Sequence, residues 1–176
     1  SRTLDETVDT LLTQLNPPPP PVNISYADDP DVPIGQTWVD KPAAQGVNGY
    51  RNASLRGWSL DLMANGAPNI REKMTMFWHN HFVTADINDP RFTYKYIELL
   101  RSYALGNFKQ LTKDITIDPA MLNYLNGRDN TKQAPNENYA RELLELFTLG
   151  KGELAGPGDY TTYTEQDIKE IAKVLT

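Results

Sequence analysis

Residues 68–83 read PNIREKMTMFWHNHFV, and the spacing of Ile70, Met74, Phe77, Trp78 and Phe82 predicts a helix with one apolar side. Both histidines of the chain, His79 and His81, lie in this stretch. At about 100° per residue, His81 falls near the middle of the apolar stripe and His79 on the opposite side. A second stretch, NENYARELLELFTL at residues 136–149, repeats the period, with Ala140, Leu143, Leu144, Leu146 and Phe147 filling an apolar arc. The two are read as amphipathic rods packed on each other with amides and charges held between them.

The helical period extends to both ends of the chain. Leu4, Val8, Leu11, Leu12 and Leu15 line one face of TLDETVDTLLTQL, and Thr3 with Glu6 fits a capping box. Asn52–Asn65 carries Leu55, Trp58, Leu62 and Met63, with Gly66 where a left-handed cap belongs. Asp89-Pro90 starts a helix that ends near Gly106. Asp118-Pro119 starts a short one through Met121, Leu122 and Leu125, closed by Gly127. Gly150 closes the 136–149 helix, and Thr164 caps a last one through Ile168, Ile171, Ala172 and Leu175. No segment alternates apolar and polar residues long enough to predict a strand. The expected fold is all-α: one irregular domain over residues 1–176, of about seven helices with short connections.

One segment breaks the period. Five prolines, Pro17 to Pro21, end the first helix and favour polyproline II, and residues up to Asn48 stay polar and proline-punctuated. Residues 17–48 are expected to form an ordered, extended arm lying on the surface, long enough to ask for a functional explanation. Its acidic residues Asp28, Asp29 and Asp31 read as solvated charge. Neither this run nor Asp86, Asn88 and Asp89 has the spacing of an EF-hand calcium loop.

Composition narrows the function. With 17 Lys and Arg against 23 Asp and Glu, the net charge of −6 has the wrong sign for a broad nucleic-acid face. The chain has no cysteine, which removes thiol chemistry and Cys-ligated zinc. Its longest apolar run is far short of the roughly 20 residues that cross a bilayer.

Chemistry is left to a few residues. His79 and His81 are candidate metal ligands or acid/base groups, although on a helix they face apart and could share an ion only on extended backbone. A divalent ion is therefore not favoured. Glu137 and Glu142 are candidate acids or bases, Glu142 nearest the apolar edge, while Arg141 with Glu137 or Glu145 also makes an ordinary i,i+4 pair. Asn123, Asn126, Asn130, Asn136 and Asn138 surround Arg128, Glu137 and Arg141. Such a density of amides either pins the loop after Gly127 or lines a polar pocket. Trp38, in the long arm, is the aromatic expected to be exposed, and would suit a glycan.

REKMTMFWHNHF (71–82), DPAMLNYLNG (118–127), PNENYARELLELFTLGKG (135–152) and YTEQDIKEIAKVLT (163–176) together resemble the bacterial family catalogued as domain of unknown function 1800. The resemblance covers residues 52–176 and does not reach the proline arm. It marks His79, His81, Asn130, Asn136, Glu137, Asn138, Arg141 and Glu142, and departs at Gln133, where a glycine is common. It implies export to the periplasm, outer membrane or extracellular space, further chain before Ser1 and after Thr176, and a protein partner, either a sulfatase-like neighbour or the chain's own C-terminal region. It implies no activity. Residues and resemblance together lead to a noncatalytic envelope or extracellular scaffold or binding module. Two alternatives are a metal- or carboxylate-assisted hydrolase of extracellular polymers, with Arg141 or Arg128 clamping an anionic group, and a glycan-binding module.

Overall fold

The computed structural model describes residues 2–13 and 16–176, so Leu15 of the N-terminal stripe lies outside the described residues. Among the described residues are eight α-helices, a 3₁₀ turn, a π-helical turn and one short hairpin, which is the all-α class predicted by the periodicity. They group into two compact units, Ser1–Trp78 with Ile87–Asn107 and His79–Asp86 with Phe108–Thr176.

In the first unit α1 (Leu4–Leu12) opens with the expected capping box, Thr3 Oγ1 accepting from the Glu6 N–H and Glu6 Oε2 from the Thr3 N–H. Its stripe residues Leu4, Val8, Leu11 and Leu12 are exposed. The arm that follows is ordered and most of its residues are exposed, but it sends a few side chains into the core. Val22 pairs with Thr37 in an isolated bridge, and the chain between them folds back on itself. The Asn23 amide fixes that fold: its Nδ2 donates to the carbonyls of Tyr26 and Val32, both at 2.7 Å, and its Oδ1 accepts from the Tyr26 N–H at 2.9 Å. Val32, Trp38 and Val39 thereby enter the core against Leu55 of α2 (Asn48–Asn65), joined by Trp58, Tyr94 and Ile97.

Two expectations about the arm are corrected here. Trp38 is 0% exposed, its indole N–H donating to Ser54 Oγ at 2.9 Å, so it offers no surface to a glycan. Asp29 is not solvated. It forks onto Arg51 of α2 through Nε and Nη2, each at 2.9 Å, and the pair is buried at 1% and 2% side-chain exposure. The same carboxylate accepts from the Asp31 and Val32 N–H groups, and Arg51 Nη1 donates to the Pro42 carbonyl. A buried charge is tolerated only with this degree of pairing.

Several boundaries also move. α2 starts at Asn48, and Gly66 at its end is extended (φ −64°) rather than left-handed. Glycine is needed there for space, because a Cβ would collide with the Leu62 carbonyl oxygen. α3 is Arg71–His81, shorter than 68–83, and Phe77 is exposed on it. α4 (Pro90–Ser102) is capped by Asp89, which accepts from the Arg91 N–H and also pairs with the Arg91 side chain. It stops short of Gly106, which sits in a following turn and accommodates the Tyr103 ring.

The second unit contains a helix that the periodicity reading passed over, α5 (Phe108–Thr116), whose Leu111 and Ile115 are fully buried. Asp118 caps α6 (Pro119–Tyr124) as expected, accepting from the Ala120 N–H at 2.8 Å. The left-handed residue after α6 is Asn126 (φ 57°), and Gly127 instead begins a 3₁₀ turn, Gly127–Asp129. α7 (Glu137–Glu142) continues into a π-helical turn, Leu143–Thr148, closed as expected by Gly150, which is left-handed (φ 77°). A hairpin of β1 (Leu154–Gly156) and β2 (Asp159–Tyr160) corrects the expectation of no strands; three and two residues are too few to show alternation. α8 (Glu165–Val174) carries the Thr164 cap and packs Ile168 and Ala172 on Ala140, Leu144 and Tyr163.

Candidate functional site

The amide-rich motif assembles around the start of α7. Asn136 is its N-cap, with Oδ1 accepting from the Asn138 N–H at 2.9 Å. Its own N–H donates to Asn130 Oδ1 at 2.7 Å, and its Nδ2 reaches the Asn126 carbonyl at 3.3 Å. Asn130 Nδ2 donates to the Ala172 carbonyl in the last turn of α8, and Asn138 Nδ2 to the Leu125 carbonyl at the end of α6. The last carbonyls of a helix have no partner within it. Three asparagines thus bind the loose ends of two other helices, together with the loop that begins at Asn126. Of the two roles left open by the sequence, these bonds are those of a network that pins the loop.

The charged members lie on the same unit but are engaged differently. Arg141 forks onto Glu165 at the start of α8, Nη1 to Oε1 at 2.6 Å and Nη2 to Oε2 at 3.0 Å, with Glu137 Oε2 at 3.4 Å. The guanidinium lowers the Glu165 carboxyl from its ordinary pKa, and the carboxylate raises the arginine in return. Arg128 is exposed and donates to Asn123 Oδ1 at 2.7 Å. Glu142 is half-buried, and its carboxylate has no hydrogen bond or ion pair among the described residues.

Sequence reasoning missed the next cluster. Glu145 accepts from Lys151 Nζ at 2.9 Å and from the Tyr163 hydroxyl at 3.0 Å, while the ammonium also sits 4.8 Å from the Tyr160 ring centre. Lys151 and Tyr163 hold the carboxyl of Glu145 below its usual range. Tyr163 moves the other way, raised first by burial, and so stays a neutral donor. The cluster ties the hairpin and α8 to the π turn. The signal was the lysine after Gly150 and the tyrosine before the Thr164 cap, neither visible as part of a periodic face.

Both histidines end α3, and His81 meets the π turn that follows α7. His81 Nε2 lies 2.8 Å from the Phe147 carbonyl oxygen, so this nitrogen carries the proton and donates. The ring is surrounded by Phe82, Phe108 and Phe147, with centroids at 4.6, 5.8 and 6.3 Å. His81 therefore meets a carbonyl near the end of the π turn, as a basic side chain commonly does at a helix C-terminus. Burial pushes the His79 imidazole below its ordinary pKa and favours its neutral form. α3 remains helical through both residues, which therefore leave its axis about 200° apart. Phe147 is ten residues along from Glu137, about 15 Å at the rise of a helix. The Phe147 carbonyl that meets His81 is thus separated along the motif from the Asn136 cap and Glu137. No group of three or more His, Asp or Glu placed to hold a metal ion occurs among the described residues. No helix among them is long and apolar enough to cross a membrane.

The sequence model of the family described as "Protein of unknown function (DUF1800)" matches residues 1–176. The match includes the proline arm, which the motif-level resemblance did not reach. No curated protein and no solved structure matched the chain.

Proposed function

Because the chain belongs to this family of unknown function, and over its whole length, its role has to be read from geometry, and we propose that it is a noncatalytic helical scaffold or binding module. The observation carrying this reading is that the motif side chains Asn130, Asn136 and Asn138 all bind helix ends and loop backbone within their own unit. Arg141 and His81 are likewise engaged internally. Acid–base groups of an active site are held toward a cleft where a substrate can reach them. Here the polar groups instead satisfy backbone that the fold would otherwise leave unpaired.

The test is thermal melting of Asn130→Ala and His81→Ala, made separately in the full chain. Both are expected to melt measurably below wild type. A variant that keeps the wild-type melting temperature overturns the reading, since its side chain is then retained for something other than the fold. Export to the envelope and a protein partner belong to the same proposal and rest on the family resemblance; fractionation of source cells and cross-linking in them check these two parts.

A further inference from the structure

Residues Pro18–Pro21 run beside α2, and together they line an open groove of about 480 Å³, within the size range of small-molecule sites. It is built from first-unit residues alone, none of them in the four motifs that carry the family resemblance. The walls are apolar: proline rings, Ile24, Leu62 and the Trp58 indole. Their polar groups are one-sided. Proline contributes carbonyls and no N–H. The two side-chain donors of the wall are already engaged, Trp58 Nε1 with the Pro19 carbonyl and Ser54 Oγ with the Val22 carbonyl, each at 2.8 Å. The only charged residue among those lining the groove is Asp61, whose Oδ1 accepts from Asn65. A net charge of −6 adds a field of the same sign.

We infer that this groove binds a small organic amine, with an alkyl or aryl body between the prolines and Trp58 and an ammonium directed to Asp61. An anionic amphiphile would fill the same volume but would set its charge against the Asp61 carboxylate and find no free side-chain donor in the wall. Gly57 supplies a steric control. It lines the groove on α2, and a Cβ there would meet nothing within 4 Å, so a substitution starts into open space and its larger side chain occupies the groove. The inference is independent of whether the second unit's motif residues are structural.

The experiment is calorimetric titration of the full chain with n-octylammonium chloride, and with octanoate as the charge-reversed probe. Octylammonium is expected to saturate one site with affinity about ten-fold above octanoate. Asp61→Asn weakens it about three- to five-fold, the scale of an exposed ion pair. Gly57→Leu abolishes binding of both probes with the helical melt intact. The inference is overturned if octanoate binds as tightly, if no saturable binding occurs at millimolar octylammonium, or if folded Gly57→Leu binds it unchanged. A capped Leu-Lys peptide that binds more tightly than octylammonium also overturns it, assigning the groove to a protein segment.

Discussion

The two units hold their long irregular segments by opposite means. In the first, residues 22–47 are fastened to α2 by one fully buried ion pair, Asp29–Arg51, and one buried indole, Trp38. In the second, the loop from Asn126 to Asn136 is fastened by several neutral amide–backbone bonds near the surface. The first arrangement concentrates stability in a few side chains whose loss leaves a charge or a void. The second distributes it, so that each bond contributes modestly and none is indispensable. Substitutions in the first unit should therefore have effects about twice as large as matched ones in the second.

The largest effect is expected at Arg51. Arg51→Ala leaves the Asp29 carboxylate buried without its partner, a change that costs about 3–5 kcal/mol in comparable sites. Urea melts at neutral pH would measure it. The pair also predicts a pH dependence. Hydrogen bonding to Arg51 holds the Asp29 carboxyl below its ordinary 3.8. A lowered folded-state pKa contributes stability that is fully present above the unfolded value and is lost as pH falls through the folded one. The gap between wild type and Arg51→Ala should be widest near neutrality and narrow below 3.8. A gap that stays constant into acid would show that Arg51 acts through packing and its Pro42 bond, not through the charge of Asp29.

Next comes Asn130→Ala, which removes the bond to the Ala172 carbonyl and the acceptor for the Asn136 N–H. The expected loss is about 1–3 kcal/mol, because partly buried backbone groups are left unsatisfied. Equal losses at Arg51 and Asn130 would break the contrast between concentrated and distributed support. Smaller still, and opposite in sign, is Gly57→Ala in the interior of α2. With open space around the new Cβ, it should stabilise by about 0.5–1 kcal/mol through helix propensity.

The same contrast explains what could be read from the sequence. Capping pairs and periods are local, so the Thr3–Glu6 box, the Asp89-Pro90 and Asp118-Pro119 starts and the Gly150 closure were all legible. Burial in the arm was not. Trp38 reaches the core because Asn23 and Asp29 fold residues 23–37 back onto α2, across sequence separations that no window of periodicity spans. α5 was passed over for the opposite reason: Phe108, Leu111 and Ile115 do keep a helical spacing, but among polar neighbours and without a cap of the Asp-Pro kind. In the candidate site, the amide cluster was visible as composition, whereas its bonding could be seen only once α6, α7 and α8 had been brought together.

The smallest effect is expected at Glu142, and it sharpens the comparison within one helix. Its neighbour Arg141 binds α7 to α8 through Glu165, while the Glu142 carboxylate has no partner among the described residues. Glu142→Gln should change stability by less than about 0.5 kcal/mol, as for a substitution that breaks no named interaction. Glu165→Gln takes the charge and one acceptor from the Arg141 fork and should lower the melting temperature slightly, more than Glu142→Gln does. A melting temperature that falls further for Glu142→Gln than for Glu165→Gln would mean that Glu142 supports the fold through a contact absent here. If instead Glu142→Gln leaves stability unchanged while Glu165→Gln lowers it, the support that α7 gives to the fold runs through Arg141 and not through the carboxylate beside it.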